Sequence, residues 1–259
     1  MRSAYLFLML STGLMAETPT VLKVARVGHV LVLKDVFLNR TGPFRMMIDT
    51  GNASSLISRK TARRLGVRPV YAVEQVTTAG IQRLPVAVLD EVTTGAMTEG
   101  DVEAMIGEVR LEGVDGVLGQ SWLVRHDYLL DYRNRRVVID GAPPKGGLRV
   151  AMRSADGVPM VNAEVDGRPL ELILDSGASA LVLSECAGRV QRQATLLTNG
   201  ASVGAGEISA KIALSGDRER HVRAVCVKSP LPAPGLLPAS AFSEVFVSNR
   251  DGFVRPGQW

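Results

Sequence analysis

At 259 residues, with 46% apolar side chains and a mean hydropathy of +0.14, the chain is too apolar for a disordered protein. The length suits one large domain or two of roughly 120 residues each. The net charge is +4, but the arginines are dispersed with few aromatics among them, which argues against a nucleic-acid track.

Residues 1–16 carry Arg2, then a largely apolar run from Ala4 to Met15 and a small residue, Ala16. This is the pattern of a secretory signal peptide, too short for a membrane span. Export is therefore expected, to a periplasmic or secreted location, with no stable membrane span after cleavage. No other segment has the length to cross a bilayer.

Val21 to Ala25 and Val30 to Leu38 read as strands, and Asn39 to Pro43 as a turn. Phe44 to Ile48 is an apolar strand leading into Asp49. Ser58 caps a predicted helix from Arg59 to Leu65, closed by Gly66. Val70 to Thr78 and Gln82 to Leu89 form a hairpin around Ala79-Gly80, followed by a strand at Ala104 to Leu111. Ser121 opens a short helix, and Tyr128 to Asp131 and Arg136 to Ile139 close the half. The Pro- and Gly-rich residues 141–149 read as a linker. Beyond it, Met160 to Val165 and Pro169 to Leu174 flank the hairpin signal Asp166-Gly167. Leu181 to Leu183 is a strand, and Ser184 caps a predicted helix from Glu185 to Val190.

The second half repeats the first. Phe44-Arg45-Met46-Met47-Ile48-Asp49-Thr50-Gly51 is matched by Leu170-Glu171-Leu172-Ile173-Leu174-Asp175-Ser176-Gly177, 126 residues later. Gly116-Val117-Leu118-Gly119-Gln120-Ser121 is echoed by Gly235-Leu236-Leu237-Pro238-Ala239-Ser240. Gly80 and Gly206 each lie 31 residues after their aspartate, in small-residue stretches that include Ala79 and Gly204. All four are candidates for flexible hairpin flaps.

Two carboxylates meeting at a pseudo-two-fold axis cannot both ionise easily, so the pair holds one proton. The ionised member takes a proton from water, and the protonated member donates to a carbonyl. Asp49 and Asp175 are the candidate catalytic pair. Gly51 and Gly177 allow close approach, and the hydroxyls of Thr50 and Ser176 can tie the two loops together.

These residues resemble the retropepsin-like aspartic peptidases. The similarity rests on Met46 to Gly51 with Asp115 to Gly119, and on Leu172 to Gly177 with Gly235 to Leu237. It covers roughly residues 21 to 256, as two such units fused in one chain. It implies an all-β fold of two pseudo-symmetric lobes with short helices, residues 21–140 and 150–259, and a peptide or protein substrate bound as an extended strand. A monomer without metal or organic cofactor is expected. Pro238 departs from the pattern, standing where the counterpart of Gly119 belongs. No tyrosine marks either flap tip.

Other chemistries find little footing. Cys186 and Cys226 are either a disulfide or two small buried residues. His29, His126 and His221 are too scattered for a zinc site. Gly204-Ala205-Gly206 lacks the third glycine of a dinucleotide loop, with Ser209 in its place. Trp122 and Trp259 read as packing residues. The competing function is a non-catalytic peptide-binding or assembly module on the same fold.

Overall fold

Strand ends, caps and turns follow the local chemistry of the chain closely. The computed structural model describes residues 18–77, 80–186, 189–198, 201–215, 217–228 and 233–259. The expected signal segment and Ala79 lie outside them.

In the first half, β1 (Thr20–Val27) and β2 (Val30–Leu38) form a hairpin. Asn39 and Arg40, both at positive φ, turn the chain directly into β3 (Thr41–Ile48), so Thr41 to Pro43 belong to the strand and not to the expected turn. β4 (Ser55–Ser58) runs into α1 (Arg59–Leu65). Ser58 Oγ accepts the Thr61 N–H at 3.0 Å, and Gly66 at φ 67° ends the helix. Such a cap contributes about 1 kcal/mol. β5 (Tyr71–Thr77) and β6 (Gly80–Thr94) make the expected hairpin, with Gly80 at φ 110°. β7 (Met97–Gly107) returns along β6. Then come β8 (Gly116–Leu118), α2 (Gln120–Leu123), β9 (Tyr128–Asp131) and β10 (Arg136–Ile139).

After residues 141–149, which hold no strand or helix, the second half runs through β11 (Val150–Ala155), β12 (Val158–Val165) and β13 (Arg168–Asp175). Asp166 and Gly167, both at positive φ, form the β12–β13 turn. β14 (Leu181–Leu183), β15 (Arg192–Thr198), β16 (Ala201–Leu214) and β17 (Arg220–Val227) follow. β18 (Gly235–Pro238), a 3-10 turn at Ala239–Ala241, β19 (Glu244–Ser248) and β20 (Phe253–Pro256) complete the chain.

The duplication extends to strand pairing. β3 runs parallel to β8, β8 antiparallel to β4, and β4 parallel to β7. β13, β18, β14 and β17 repeat that pattern in the second half. A further sheet joins the halves in the order β1-β10-β9-β19-β20-β11. At its centre β9 and β19 pair antiparallel, with Tyr128 opposite Val247 and Asp131 opposite Glu244. Its buried Leu130, Val137, Ile139, Val245 and Val254 belong to the main apolar core, which spans both lobes. Asp131 is fully buried there. Burial pushes its carboxyl up, but hydrogen bonds from Asn134 and the guanidinium of Arg136 outweigh that and hold it below the usual range.

Two further expectations need correction. The helix from Glu185 to Val190 does not form at residues 185, 186, 189 or 190; residues 187–188 lie outside the description. Ser184 Oγ instead donates to the Pro234 carbonyl at 3.0 Å. Gly204 and Gly206 are not at a hairpin tip. They lie within β16, opposite Thr195 and Gln193. A Cβ at Gly206 would meet Val190 Cγ2 at 2.7 Å, so this glycine makes room for the Val190 side chain lying over it. Cys186 and Cys226 form a disulfide that ties the segment after β14 to β17. Among the described residues no helix is long and apolar enough to cross a membrane.

Candidate active site

β3 and β13 each deliver an aspartate at the lobe boundary: Asp49 just after β3 and Asp175 as the last residue of β13. The apolar residues before them, Ile48 and Leu174, are buried. Each strand end is held by its parallel neighbour: Asp49 N–H donates to the Leu118 carbonyl at 3.0 Å, and Asp175 is registered against Pro238.

The residues that follow lock the two loops to each other. Thr50 N–H donates to Ser176 Oγ at 3.0 Å, and Ser176 N–H donates to Thr50 Oγ1 at 3.0 Å. Each hydroxyl then donates into the opposite strand, Thr50 Oγ1 to the Leu174 carbonyl at 2.6 Å and Ser176 Oγ to the Ile48 carbonyl at 2.9 Å. All four bonds are buried. They form a closed, reciprocal set in which every hydroxyl both accepts and donates.

The glycines bring the carboxylates together. A Cβ on Gly51 would sit 2.5 Å from Asp175 Cγ, and one on Gly177 would sit 2.9 Å from Asp49 Cγ. The two carboxyls thus face each other closely enough for each to shift the other's protonation. Gly51 N–H donates to Asp49 Oδ1 at 3.1 Å, while Gly177 and Ala178 N–H donate to Asp175 Oδ1 at 2.7 and 3.1 Å.

Burial holds both carboxyls above their ordinary range. For Asp49 the facing Asp175 charge adds to this and carries it well above. For Asp175 the Asp49 side chain, the Gly177 and Ala178 N–H groups and the charge of His29 partly offset burial. Each of these favours the ionised form, so the pair retains one proton between two oxygens.

Several contributors carry no signal in the sequence. His29, in the β1–β2 turn, reaches across the lobe boundary, with Nε2 2.9 Å from the Gly177 carbonyl. A carbonyl only accepts, so Nε2 bears the proton. Gln120 is buried and its Nε2 donates to the Thr50 carbonyl at 2.7 Å. Asn52 accepts from Gln75 Nε2 at 3.1 Å, linking the Asp49 loop to β5. Tyr132 lies buried close enough for both aspartates to raise its hydroxyl further than burial alone. All depend on contacts between distant segments, which neither motif nor periodicity encodes.

Comparison with known proteins adds one family match and two structural ones. Residues 35–125 match the family model described as "gag-polyprotein putative aspartyl protease". Among solved structures, an aspartic proteinase from Irpex lacteus matches with a TM-score of 0.62 at 9% identity, covering 93% of this chain and 98% of that one. A retropepsin-like aspartic protease from Rickettsia conorii matches with a TM-score of 0.37 at 19% identity, covering 47% of this chain and 89% of that one. No curated protein matches. The chain thus has the two-lobed aspartic-proteinase fold, and residues 35–125 within its first lobe carry the sequence pattern of the gag-polyprotein aspartyl-protease model.

Proposed function

We propose that the chain is an aspartic endopeptidase in which Asp49 and Asp175 together activate a water molecule. The observation that carries this reading is the facing pair itself: two buried carboxyls brought together by Gly51 and Gly177, on loops locked by Thr50 and Ser176. The ionised member removes a proton from the water, which attacks the peptide carbonyl carbon. The protonated member donates to the carbonyl oxygen, giving a tetrahedral diol without a covalent enzyme adduct. Collapse returns a proton to the leaving amine and breaks the C–N bond. The dyad supplies both acid and base, so the chemistry calls for no metal or organic cofactor.

The β5–β6 hairpin is the proposed flap. Val70, Tyr71, Val76 and Ile81, on or beside it, are half of the large apolar side chains exposed among the described residues. Exposed apolar groups clustered on one hairpin favour contact with an extended peptide bearing apolar side chains. We further propose an exported, periplasmic or secreted, monomeric enzyme. The Cys186–Cys226 disulfide supports export, since such bonds persist in oxidising compartments.

The test is digestion of a peptide library by the purified chain beside Asp49→Asn and Asp175→Asn. Cleavage by the wild type and none by either folded variant is expected. Peptides bound without cleavage would establish the non-catalytic binding module instead.

A further inference from the structure

The two lobes part company just after their central strands. In the first lobe Gly119 lies so close beneath the Asp49 loop that a Cβ would meet the carbonyl oxygens of Ser54 at 2.4 Å and Asn52 at 2.6 Å. That approach lets α2 be stitched down. Ser55 Oγ accepts the Gly119 N–H at 3.1 Å, and Ser121 Oγ accepts the Ser55 N–H at 2.9 Å and donates to the Glu103 carbonyl at 2.8 Å. Trp122 then fills the space behind the loop and is fully buried.

Strand register identifies the counterparts. Leu56 and Ile57 face Val117 and Gly116, as Val182 and Leu183 face Leu236 and Gly235. Leu181 therefore stands for Ser55, Pro238 for Gly119 and Ala241 for Trp122. Each exchange removes something. Leu181 has no hydroxyl, Pro238 has no N–H and a ring where the first lobe has bare backbone, and Ala241 has no indole. The result is a cavity of about 450 Å³ between β14, β17 and the 3-10 turn, lined by Leu181, Val222, Ala224, Leu237, Ala241 and Trp259.

We propose that this cavity binds a small aromatic anion, its ring taking the place that Trp122 takes in the other lobe. The volume falls in the range of about 300–1,000 Å³ typical of ligand pockets. Trp259, packed on Phe242 at 4.5 Å between ring centres, offers an aromatic wall. The charge at the cavity selects the sign. Glu207 is already paired with Arg192 at 2.7 Å, and Arg223 stands 3.9 Å from it with its side chain 85% exposed. An acid can draw Arg223 away from its long 3.9 Å contact with Glu207, whereas a cation meets a carboxylate already held by two arginines. The site also touches the catalytic candidate from behind. Ser179 and Ala180 continue the Asp175 loop, and Pro238 is paired with Asp175, so an occupied cavity braces that loop. None of this depends on peptidase activity.

Calorimetric titration of the full chain with indole-3-acetate and, separately, with tryptamine tests the proposal. Indole-3-acetate is expected to bind one to one with Kd at or below about 1 mM, and tryptamine about tenfold more weakly or worse. Ala241→Trp should abolish indole-3-acetate binding without lowering Tm, and Ala241→Leu, should the larger side chain prevent folding, should weaken it. Arg223→Ala, at an exposed position, should erase the preference for the acid. No saturable binding to the wild type, equal affinity for the two probes, or binding undiminished in a folded Ala241 variant would each overturn the assignment.

Discussion

Thr50 and Ser176 exchange backbone N–H and hydroxyl groups across the lobe boundary, each accepting from the other at 3.0 Å. This places the register of one lobe under the control of the other, because each hydroxyl also donates to the strand that carries the opposite aspartate. Removing one hydroxyl strands a buried carbonyl and a buried N–H together. Thr50→Ala is therefore expected to cost about 2–4 kcal/mol of stability. Thr50→Ser, which keeps the hydroxyl, should stay within about 1 kcal/mol of wild type. Denaturant unfolding of both variants decides the point, and equal stabilities would refute the interlock.

Gly51 and Gly177 are required by the opposite carboxylate and not by their own backbone angles. Neither has positive φ, yet a methyl group on either would overlap the facing aspartate. Gly51→Ala and Gly177→Ala should each push the dyad apart, and a displacement near 1 Å costs about a hundredfold in rate. The expected signature is a loss of kcat/KM of at least that size in a protein that still folds, measured with the best peptide from the library digest.

The pH dependence follows from the direction of the dyad's shifts. Both carboxyls are raised by burial, so the native state holds a proton that the unfolded chain has released. The pair's contribution to stability is complete below the unfolded carboxyl value of about 3.9 and declines as pH rises toward the native values. Asp49→Asn removes the ionisable partner and with it this loss. Its Tm is expected to exceed that of wild type at neutral pH, with the advantage closing by about pH 4. A Tm difference independent of pH would contradict proton sharing.

Much of this site is legible before any coordinates, and the reason is local. Caps at Ser58 and Gly66, the Asp166-Gly167 turn and the matched Asp-Thr/Ser-Gly triplets each depend on residues within a few positions of one another. What escaped is set by distance along the chain. The β9–β19 pairing joins strands more than a hundred residues apart, and no alternation in either strand names its partner. Gly206 misled because a glycine that accommodates Val190 looks, in sequence, like one that serves a turn. Pro238 reads as a defect in the repeat; in space it sits in register with Asp175, and its cost is displaced into the cavity behind the loop.

The second lobe lacks a described counterpart of α1, and the Cys186–Cys226 bond ties that region instead, across a sequence separation of 40. Closing a loop of that length restricts the unfolded chain by about 4 kcal/mol in the chain-entropy estimate. The double variant Cys186→Ser with Cys226→Ser should lose stability of that order, read by denaturant unfolding under non-reducing conditions. An unchanged midpoint would mean that the lobe is held by its sheet alone.

Gln75 gives the proposed flap its link to the site. Its Nε2 donates to Asn52 Oδ1 three residues beyond Asp49, and Asn52 is itself buried. Gln75 is half-buried and its backbone pairs with Gln82 in the hairpin, a pairing that truncating the side chain leaves in place while removing no apolar core. If the hairpin closes over a bound peptide, this bond fixes where the closed flap stands relative to Asp49, and losing it should be felt in turnover more than in folding. Gln75→Ala is expected to lower kcat/KM about tenfold, the worth of one well-placed hydrogen bond, with Tm held within about 2 °C. Wild-type kcat/KM in this variant would leave the hairpin as an ordinary surface feature, and a large fall in Tm would place Gln75 in the fold's own support.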